Sequence, residues 1–307
     1  MIGSQDLQFF TVVAGAPSLV AVARSLGVTP SAVTQRLRQL EERLQVRLVE
    51  RSSRRLQLTT EGLLLAERGA TVLDEMAAIA EELATCRNVV TGQLRVAAPF
   101  GFGRAYVAPA MAALRAIHPE VELVLTLFED PAYSLHDGRW DVLIHVGPLA
   151  DSGMVMRRLA PNRRILCAAP SYLAEHSFPQ HPEELRRHAC GVIREDQADA
   201  TLWSFSLADG GTAAVRIHPT FASNDGAVIR QWGLAGLGII LRSEWDIAED
   251  LRTGRLVPLL PDWNVPAADV VALLGTRTGR VARIERFLET LAEALKPVPW
   301  RTQPDEG

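Results

Sequence analysis

The sequence predicts a multidomain α + α/β protein: a small helical head closed by a hairpin, one long helix, and a two-lobed α/β body. Three observations carry that prediction. The first 62 residues hold short helical periods separated by turn signals, and eight arginines against five acids. Residues 60–88 then run without proline, apolar at alternating steps of four and three. After Gly92, apolar runs of strand length alternate with amphipathic helical patterns.

Each element follows in order. In residues 5–14, Leu7, Phe10 and Val13 or Ala14 fall on one helical face. Ser18 can cap a second helix, SLVAVARSL, which stops at Gly27. Thr29 caps a third, TPSAVTQRLRQLEERL, with Pro30 at its first position, where the missing N–H costs nothing. Ala23 lets the second and third helices approach, Gly27 makes the turn and Val33 fills the gap between them. Two short helices across a tight turn form the shape that enters a DNA major groove; an ordinary three-helix core is the competing reading. The following VRLVERSSRRLQLTTEG alternates, breaks at Ser52 and Ser53, and resumes at Leu56 and Leu58. It reads as a hairpin tipped with Arg51, Arg54 and Arg55, a tip that reaches a phosphate backbone or a narrow minor groove. Base-edge contacts are expected from Thr29, Ser31, Thr34 and Gln35, and phosphate contacts from Arg36, Arg38, Arg51, Arg54 and Arg55.

The block 18–62 resembles the winged helix-turn-helix of LysR-type transcriptional regulators. The resemblance rests on Ser18, the VTPSAVT that opens the third helix, Leu40-Glu41, Arg51, Leu58-Thr59 and Gly62. The sequence departs from the family pattern at Ala21-Val22-Ala23 (usually a double alanine), at Gln45 (usually glycine) and at Val49 (usually phenylalanine). Gln45 is expected to remove a left-handed cap, and Val49 to trim core contact under the wing. Pro30 stands where many relatives carry a polar side chain.

From Thr60, about 28 residues read as one helix of roughly 42 Å. Leu65, Gly69, Val72, Met76, Ile79, Leu83 and Cys86 form a heptad seam flanked by alanines. A long helix packed on its own domain is disfavoured, because no adjacent segment offers a matching helix. The resemblance implies that this linker helix pairs with that of a second chain through Leu65, Val72, Met76, Ile79 and Leu83. Two heads would then read half-sites about 34 Å apart.

The strand–helix alternation of the body argues for mainly parallel sheets. The resemblance continues here, through WDVLIHVGPLADSG, LCAAPSYL, HPEELRRHACG, LVPLLPDW and the last helix, and covers residues 4–296 in all. It implies an effector-binding domain of the type 2 periplasmic-binding-protein kind. The expected organisation is a DNA-binding domain at 1–59, a linker helix at 60–88 and an effector-binding domain at 89–300. Lobe 1 takes 89–162 and 267–300, and lobe 2 takes 163–266, with crossings near Asn162 and Pro266.

A ligand in such sheets sits beyond the carboxyl ends of the strands. After the first strand, Phe100, Gly101, Phe102 and Gly103 open a helix whose bare amides could hold a carboxylate, with the two rings flanking an apolar body; a plain tight turn is the alternative. His145 ends the third strand, where many relatives have arginine, so a fixed charge is replaced by a titratable one. Ser223 joins the list because that stretch borders the cleft in the family, although Ser223 to Asp225 also read as a helix cap.

Composition excludes several classes. At 307 residues, 48% hydrophobic and 22% charged, the chain is neither collagenous nor disordered, and it is too long for one ordinary domain. Three cysteines without CxxC spacing exclude a disulfide scaffold and a thiolate zinc module. Cys167 and Cys190 sit in apolar strand patterns and read as buried thiols rather than a redox switch. The net charge of −4 splits into +3 over residues 1–62 and −7 over the rest, which suggests a polyanion partner for the head, although such an excess is also common in proteins that never meet DNA. Lys296 is the only lysine, which reflects nucleotide composition rather than function. Neither a signal peptide nor a membrane span is expected, the sequence holds no P-loop, GxSxG or HExxH pattern, and His176, His181 and His188 are spaced irregularly.

The expectation is therefore a cytoplasmic, nucleoid-associated regulator rather than an enzyme, with no cofactor and no metal. Its partners would be double-stranded DNA and a small effector (an organic acid, an aromatic or an amino acid). It would form a homodimer or homotetramer, with RNA polymerase as a further candidate partner. An architectural DNA-binding protein, or a solute-binding or enzymatic protein on the two-lobed scaffold, is the alternative. The first has no need of a ligand cleft; the second calls for an export signal or a catalytic constellation.

Overall fold

The computed structural model describes residues 2–50, 56–85, 90–128, 140–147, 154–194, 199–274 and 282–301. It divides into two compact units, 1–88 and 89–307. In the first, α1 (Ser4–Ala14), α2 (Leu19–Leu26) and α3 (Pro30–Leu44) precede the long α4 (Thr60–Thr85). Ser18 Oγ accepts the Ala21 N–H at 3.2 Å and Thr29 Oγ1 accepts that of Ala32 at 3.3 Å, so both predicted caps form. Gly27 takes φ +65°, Ala23 and Val33 are buried, and Phe9, Phe10, Val13, Val22, Leu37 and Leu40 complete the core around them.

Gln45 does not remove the left-handed cap. It adopts that conformation itself (φ 56°, ψ 28°), and its side-chain amide donates to Glu42 O at 2.7 Å, so a local hydrogen bond offsets the cost of a Cβ there. The wing stem is one antiparallel bridge, Val49 to Leu58, flanked by Glu50 N–H to Gln57 O (2.9 Å) and Thr59 N–H to Leu48 O (3.1 Å). Its tip, with Arg51, Arg54 and Arg55, lies outside the described residues.

The long helix corrects one expectation. A neighbour for it does exist: α1 packs along α4, with Leu7 Cδ2 3.1 Å from where a Cβ on Gly69 would stand. Leu65 packs on the head's core and is no free seam position. The seam opens further on, where Val72, Met76 and Ile79 are 43%, 50% and 61% exposed. Leu83 lies in the helix with its side chain outside the described set, as does the whole of Cys86.

The second unit holds two five-stranded sheets. The strands of lobe 1 are β1 (Gly92–Pro99), β2 (Val121–Phe128), β3 (Val142–Val146), β4 (Val155–Ala160) and β12 (Val270–Leu274), ordered β2-β1-β3-β12-β4. Phe100–Phe102 and a π turn, Gly103–Val107, lead into α5 (Ala108–Ile117), which packs on the last helix, α9 (Ala282–Ala294). Lobe 2 holds β5 (Arg164–Ala168), α6 (Pro170–Glu175), β6 (Cys190–Ile193), β9 (Pro219–Ser223), α7 (Gly226–Leu234), β10 (Ile239–Ser243), α8 (Glu244–Arg252) and β11 (Val257–Pro258). Its sheet runs β11-β5-β10-β6-β9, and β7 (Leu202–Ser206) with β8 (Thr212–Arg216) forms a separate hairpin.

The sheets are mixed rather than mainly parallel. β1 pairs in parallel with β2 and β3, and β6 with β9 and β10, while β12, β5 and their other partners run antiparallel. The cause is the double crossing. β4 carries the chain out of lobe 1 into β5, β12 brings it back, and strands entering from the far lobe run against the parallel set. At the crossings, Asn162 meets Ala268: Asn162 Nδ2 donates to Ala268 O at 2.8 Å.

Candidate nucleic-acid interface and ligand cleft

One face of α3 is spent on the core: Val33, Leu37 and Leu40 are buried at helical spacing. Everything between them faces out, so Thr29, Ser31, Thr34, Gln35, Arg36 and Arg38 are all exposed. The hydroxyls are already oriented. Thr34 Oγ1 donates to Pro30 O at 2.9 Å, which leaves its methyl and an acceptor lone pair for a partner; Thr29 and Ser31 hydroxyls lie 3.0 Å apart. Gln35 has both amide functions available for bidentate recognition, the geometry adenine demands. Arg38 makes an exposed i,i+4 pair with Glu42 at 3.5 Å, of little energetic worth. Arg36 is held more firmly: its guanidinium lies 4.6 Å from the Phe9 ring centroid and Nη2 donates to Gln5 O at 3.0 Å.

The motif residues prove to be an interlock behind this face. Glu41 Oε1 accepts the N–H groups of Leu48 (2.8 Å) and Val49 (3.3 Å), tying α3 to the wing stem. Thr59 Oγ1 donates to Arg47 O at 2.6 Å and accepts the Gly62 N–H at 3.0 Å, joining the stem to α4. At Gly62 a Cβ would stand 2.1 Å from Leu48 O, so only glycine lets α4 lie against the wing. Arg43 pairs with Asp6 at 2.8 Å and fastens α3 to α1. Sequence reasoning missed that pair, whose partners are 37 positions apart.

In the second unit a cavity of about 470 Å³ opens between the lobes, within the range of small-molecule sites. Phe100, Gly101 and His145 line it as expected. Phe102 and Gly103 do not: Phe102 is fully buried in the lobe 1 core, and a Cβ on Gly103 would stand 2.3 Å from Leu127 Cδ2. The helical turn that opens at Phe100 points successive residues in different directions, so Phe100 and Gly101 face the cleft while Phe102 and Gly103 face lobe 1. Ser223 is also absent from the lining. Its hydroxyl accepts the Asp225 N–H at 3.1 Å, and the neighbouring Asn224, Gly226 and Ala227 face the cavity instead.

Most of the lining residues that sequence reasoning missed come from lobe 2. Arg242 is buried in the cavity wall, donating from Nε and Nη2 to Asp246 Oδ2 at 2.9 and 2.6 Å. Gly226 makes room for it, since a Cβ there would stand 2.3 Å from Arg242 Nη2. Trp203 and Trp245 add aromatic walls beside Phe100 and Phe128. The only available signal was an arginine closing the otherwise apolar strand GIILR. Arg164 Nη2 and His145 Nε2 converge near Gly147, at 3.4 and 3.9 Å from its Cβ position, and give the cleft a polar corner. Across the mouth, Arg104 Nη2 reaches Asp225 Oδ2 at 3.3 Å.

Burial pushes the Cys167 and Cys190 thiols up to about 12, so neither forms a thiolate near neutral pH. Among the described residues no group of three or more His, Cys, Asp or Glu is placed to hold a metal, and no helix is long and apolar enough to cross a membrane.

A winged helix-turn-helix head and a two-lobed module with a ligand-sized cavity define the class of DNA-binding regulators that carry a small-molecule-binding domain. Residues 4–63 match the description "Bacterial regulatory helix-turn-helix protein, lysR family", and residues 87–296 match "LysR substrate binding domain". The chain belongs to the LysR family of transcriptional regulators. It is 36% identical over 288 residues to the HTH-type transcriptional regulator DmlR of Escherichia coli (strain K12), covering 94% of this chain and 93% of that protein. It is 33% identical to the activator TtdR of the same strain, covering 99% and 96%. Among solved structures, CrgA of Neisseria meningitidis, a LysR-type regulator, superimposes with a TM-score of 0.59 at 30% identity over 96% of this chain and 99% of that one. The Vibrio cholerae virulence activator AphB gives 0.59 at 26% identity over 95% and 99%. Members of this family bind DNA and small-molecule effectors and act as oligomers.

Proposed function

We propose that α3 reads base edges through Thr29, Ser31, Thr34 and Gln35, while Arg36, Arg38, Arg51, Arg54 and Arg55 contact phosphates, Arg36 as a guanidinium steadied by Phe9 and Gln5. The observation that carries this reading is the outward face of α3, polar and basic with its core residues all on the other side. The Val72, Met76, Ile79 and Leu83 seam pairs two chains, as a homodimer or within a homotetramer. A small organic acid, aromatic or amino acid binds beside Phe100, Gly101 and His145 and alters head spacing, and with it the contact to RNA polymerase, in the cytoplasm. A gel shift on the gene's own upstream DNA tests the first part. Retained binding under excess unrelated competitor is expected, and equal loss to any competitor points to an architectural protein. For the cleft, a small carboxylate, aromatic or amino acid is expected to raise the melting temperature of the full chain.

A further inference from the structure

Asn162 stands where the chain first crosses between the lobes, and it is 3% exposed. Its own N–H donates to Asp269 Oδ1 at 3.2 Å, and its carbonyl accepts the Ala268 N–H at 3.3 Å. Its side-chain Nδ2 donates to Ala268 O (2.8 Å) and Ser243 Oγ (3.4 Å), and Oδ1 accepts the Trp245 N–H at 3.3 Å. One planar amide thus ties both crossover strands to the first turn of α8. Only a carboxamide supplies two donors and an acceptor in this plane. An aliphatic residue would leave the Trp245 amide and the buried Ala268 carbonyl short of partners.

The other end of Trp245 is in the cleft. Its indole lines the cavity and rests on Gly101 of lobe 1, where a Cβ would stand 2.7 Å from Cη2. The ring also meets Phe102 edge-on at 5.5 Å and Tyr106 at 6.3 Å. The cleft wall and the hinge are therefore joined through one residue's backbone and side chain.

We infer that Asn162 is a positioning residue that couples the state of the cleft, felt at Trp245, to the two crossover strands that set the angle between the lobes. This rests on the cleft being the ligand site. A ligand that displaces the indole moves the Trp245 amide, and the Asn162 carboxamide carries that displacement to Ala268. Such a link is physical only if the two ends respond together.

The Gly101→Ala substitution supplies the probe without any ligand, because the added methyl pushes the indole edge. Amide hydrogen exchange is measured in the full chain at Asn162 and Ala268. In the otherwise native protein the wedge should speed exchange at both by about threefold or more, the scale of coupling between contacting residues. In Asn162→Asp, which keeps an acceptor for Trp245 but loses both side-chain donors, the wedge should add nothing to an already raised rate. A cooperative melt checks the fold of each variant. Trp245→Phe runs the same cycle from the other end: without the indole edge, the wedge should leave Ala268 at its native rate. Equal acceleration by the wedge in all three backgrounds, or none in the native one, overturns the inference. The cleft reading fails separately, if no small molecule of the classes above raises the melting temperature.

Discussion

The head and the cleft solve opposite problems. The head presents side chains outward from a frame in which polar contacts and one close approach tie α3, the wing stem and α4 together: Glu41 to the wing amides, Thr59 to Arg47 and Gly62, and Gly62 against Leu48. The cleft gathers its lining from positions as far apart as Pro99 and Pro266, and its shape depends on two lobes meeting. A surface that reads DNA needs a rigid base and exposed variety. A cavity needs complementary walls that neighbouring positions along the chain cannot supply.

If that contrast is right, the largest single effect should come from the head's interlock and not from its reading face. Gly62→Ala places a methyl 2.1 Å from a backbone oxygen that cannot move without breaking the wing stem. The expected cost is about 3 kcal/mol, the upper end for overpacking, with DNA binding lost. Loss of the gel shift while the tryptophan-monitored melt stays unchanged would place the damage in the head, because all six tryptophans lie after residue 89. Unaltered DNA binding would break the comparison outright.

The same contrast explains what was legible in the sequence. Ser18, Thr29, Gly27, Ala23 and Val33 act within a few residues of themselves, so their spacing announces the three helices and the turn. The seam was half legible: periodicity located Val72, Met76 and Ile79, but nothing in the pattern revealed that α1 takes Leu65 and Gly69 for the head. In the body, strand positions followed from apolar runs, while strand direction did not, because the double crossing is a property of the whole topology. Phe102 and Gly103 were misplaced because the helix that opens at Phe100 turns them into lobe 1, away from Phe100 and Gly101. Arg242 and Trp245 were invisible because their site exists only once Gly226 and Gly101 make room for them.

On the reading face itself, effects should be smaller and should differ in kind. Gln35→Ala should cost about 1–3 kcal/mol at one base position and leave other positions unchanged. Arg38→Ala should weaken binding to every sequence alike and lower the slope of log K against log salt by about one unit. Titrations of a panel of single-base variants across several salt concentrations separate the two. A uniform loss for both would remove α3 from the role of reader.

The smallest effect concerns how acid reaches the two units. The head has no histidine. Its Asp6 is pushed up by burial, but the Gly3 N–H and the Arg43 guanidinium outweigh this and hold the carboxyl below 3.8. The stability it contributes is present above that value and is lost only as pH falls through the lowered native one. Lobe 2 differs. Tyr172 OH accepts the Ala189 N–H at 3.0 Å and lies 3.1 Å from His188 Nδ1, His176 stacks on the Tyr172 ring at 4.1 Å, and Glu184 faces the same cluster. Burial, then the neighbouring His176, lowers the His188 imidazole below 6.5, against a smaller opposing pull from Glu184. The unfolded chain therefore binds a proton that the native state refuses. Stability is full above 6.5 and declines as pH falls from there toward the lowered native value. Between about pH 7.5 and about 5.5, the tryptophan-monitored melting temperature should drop slightly. His188→Asn, which keeps an acceptor for the Tyr172 hydroxyl without titrating, should flatten that part of the profile. DNA binding by the head should show no matching loss in this window. An undiminished pH dependence in the asparagine variant would show that acid enters the body elsewhere, and would leave the two units less different than their chemistry implies.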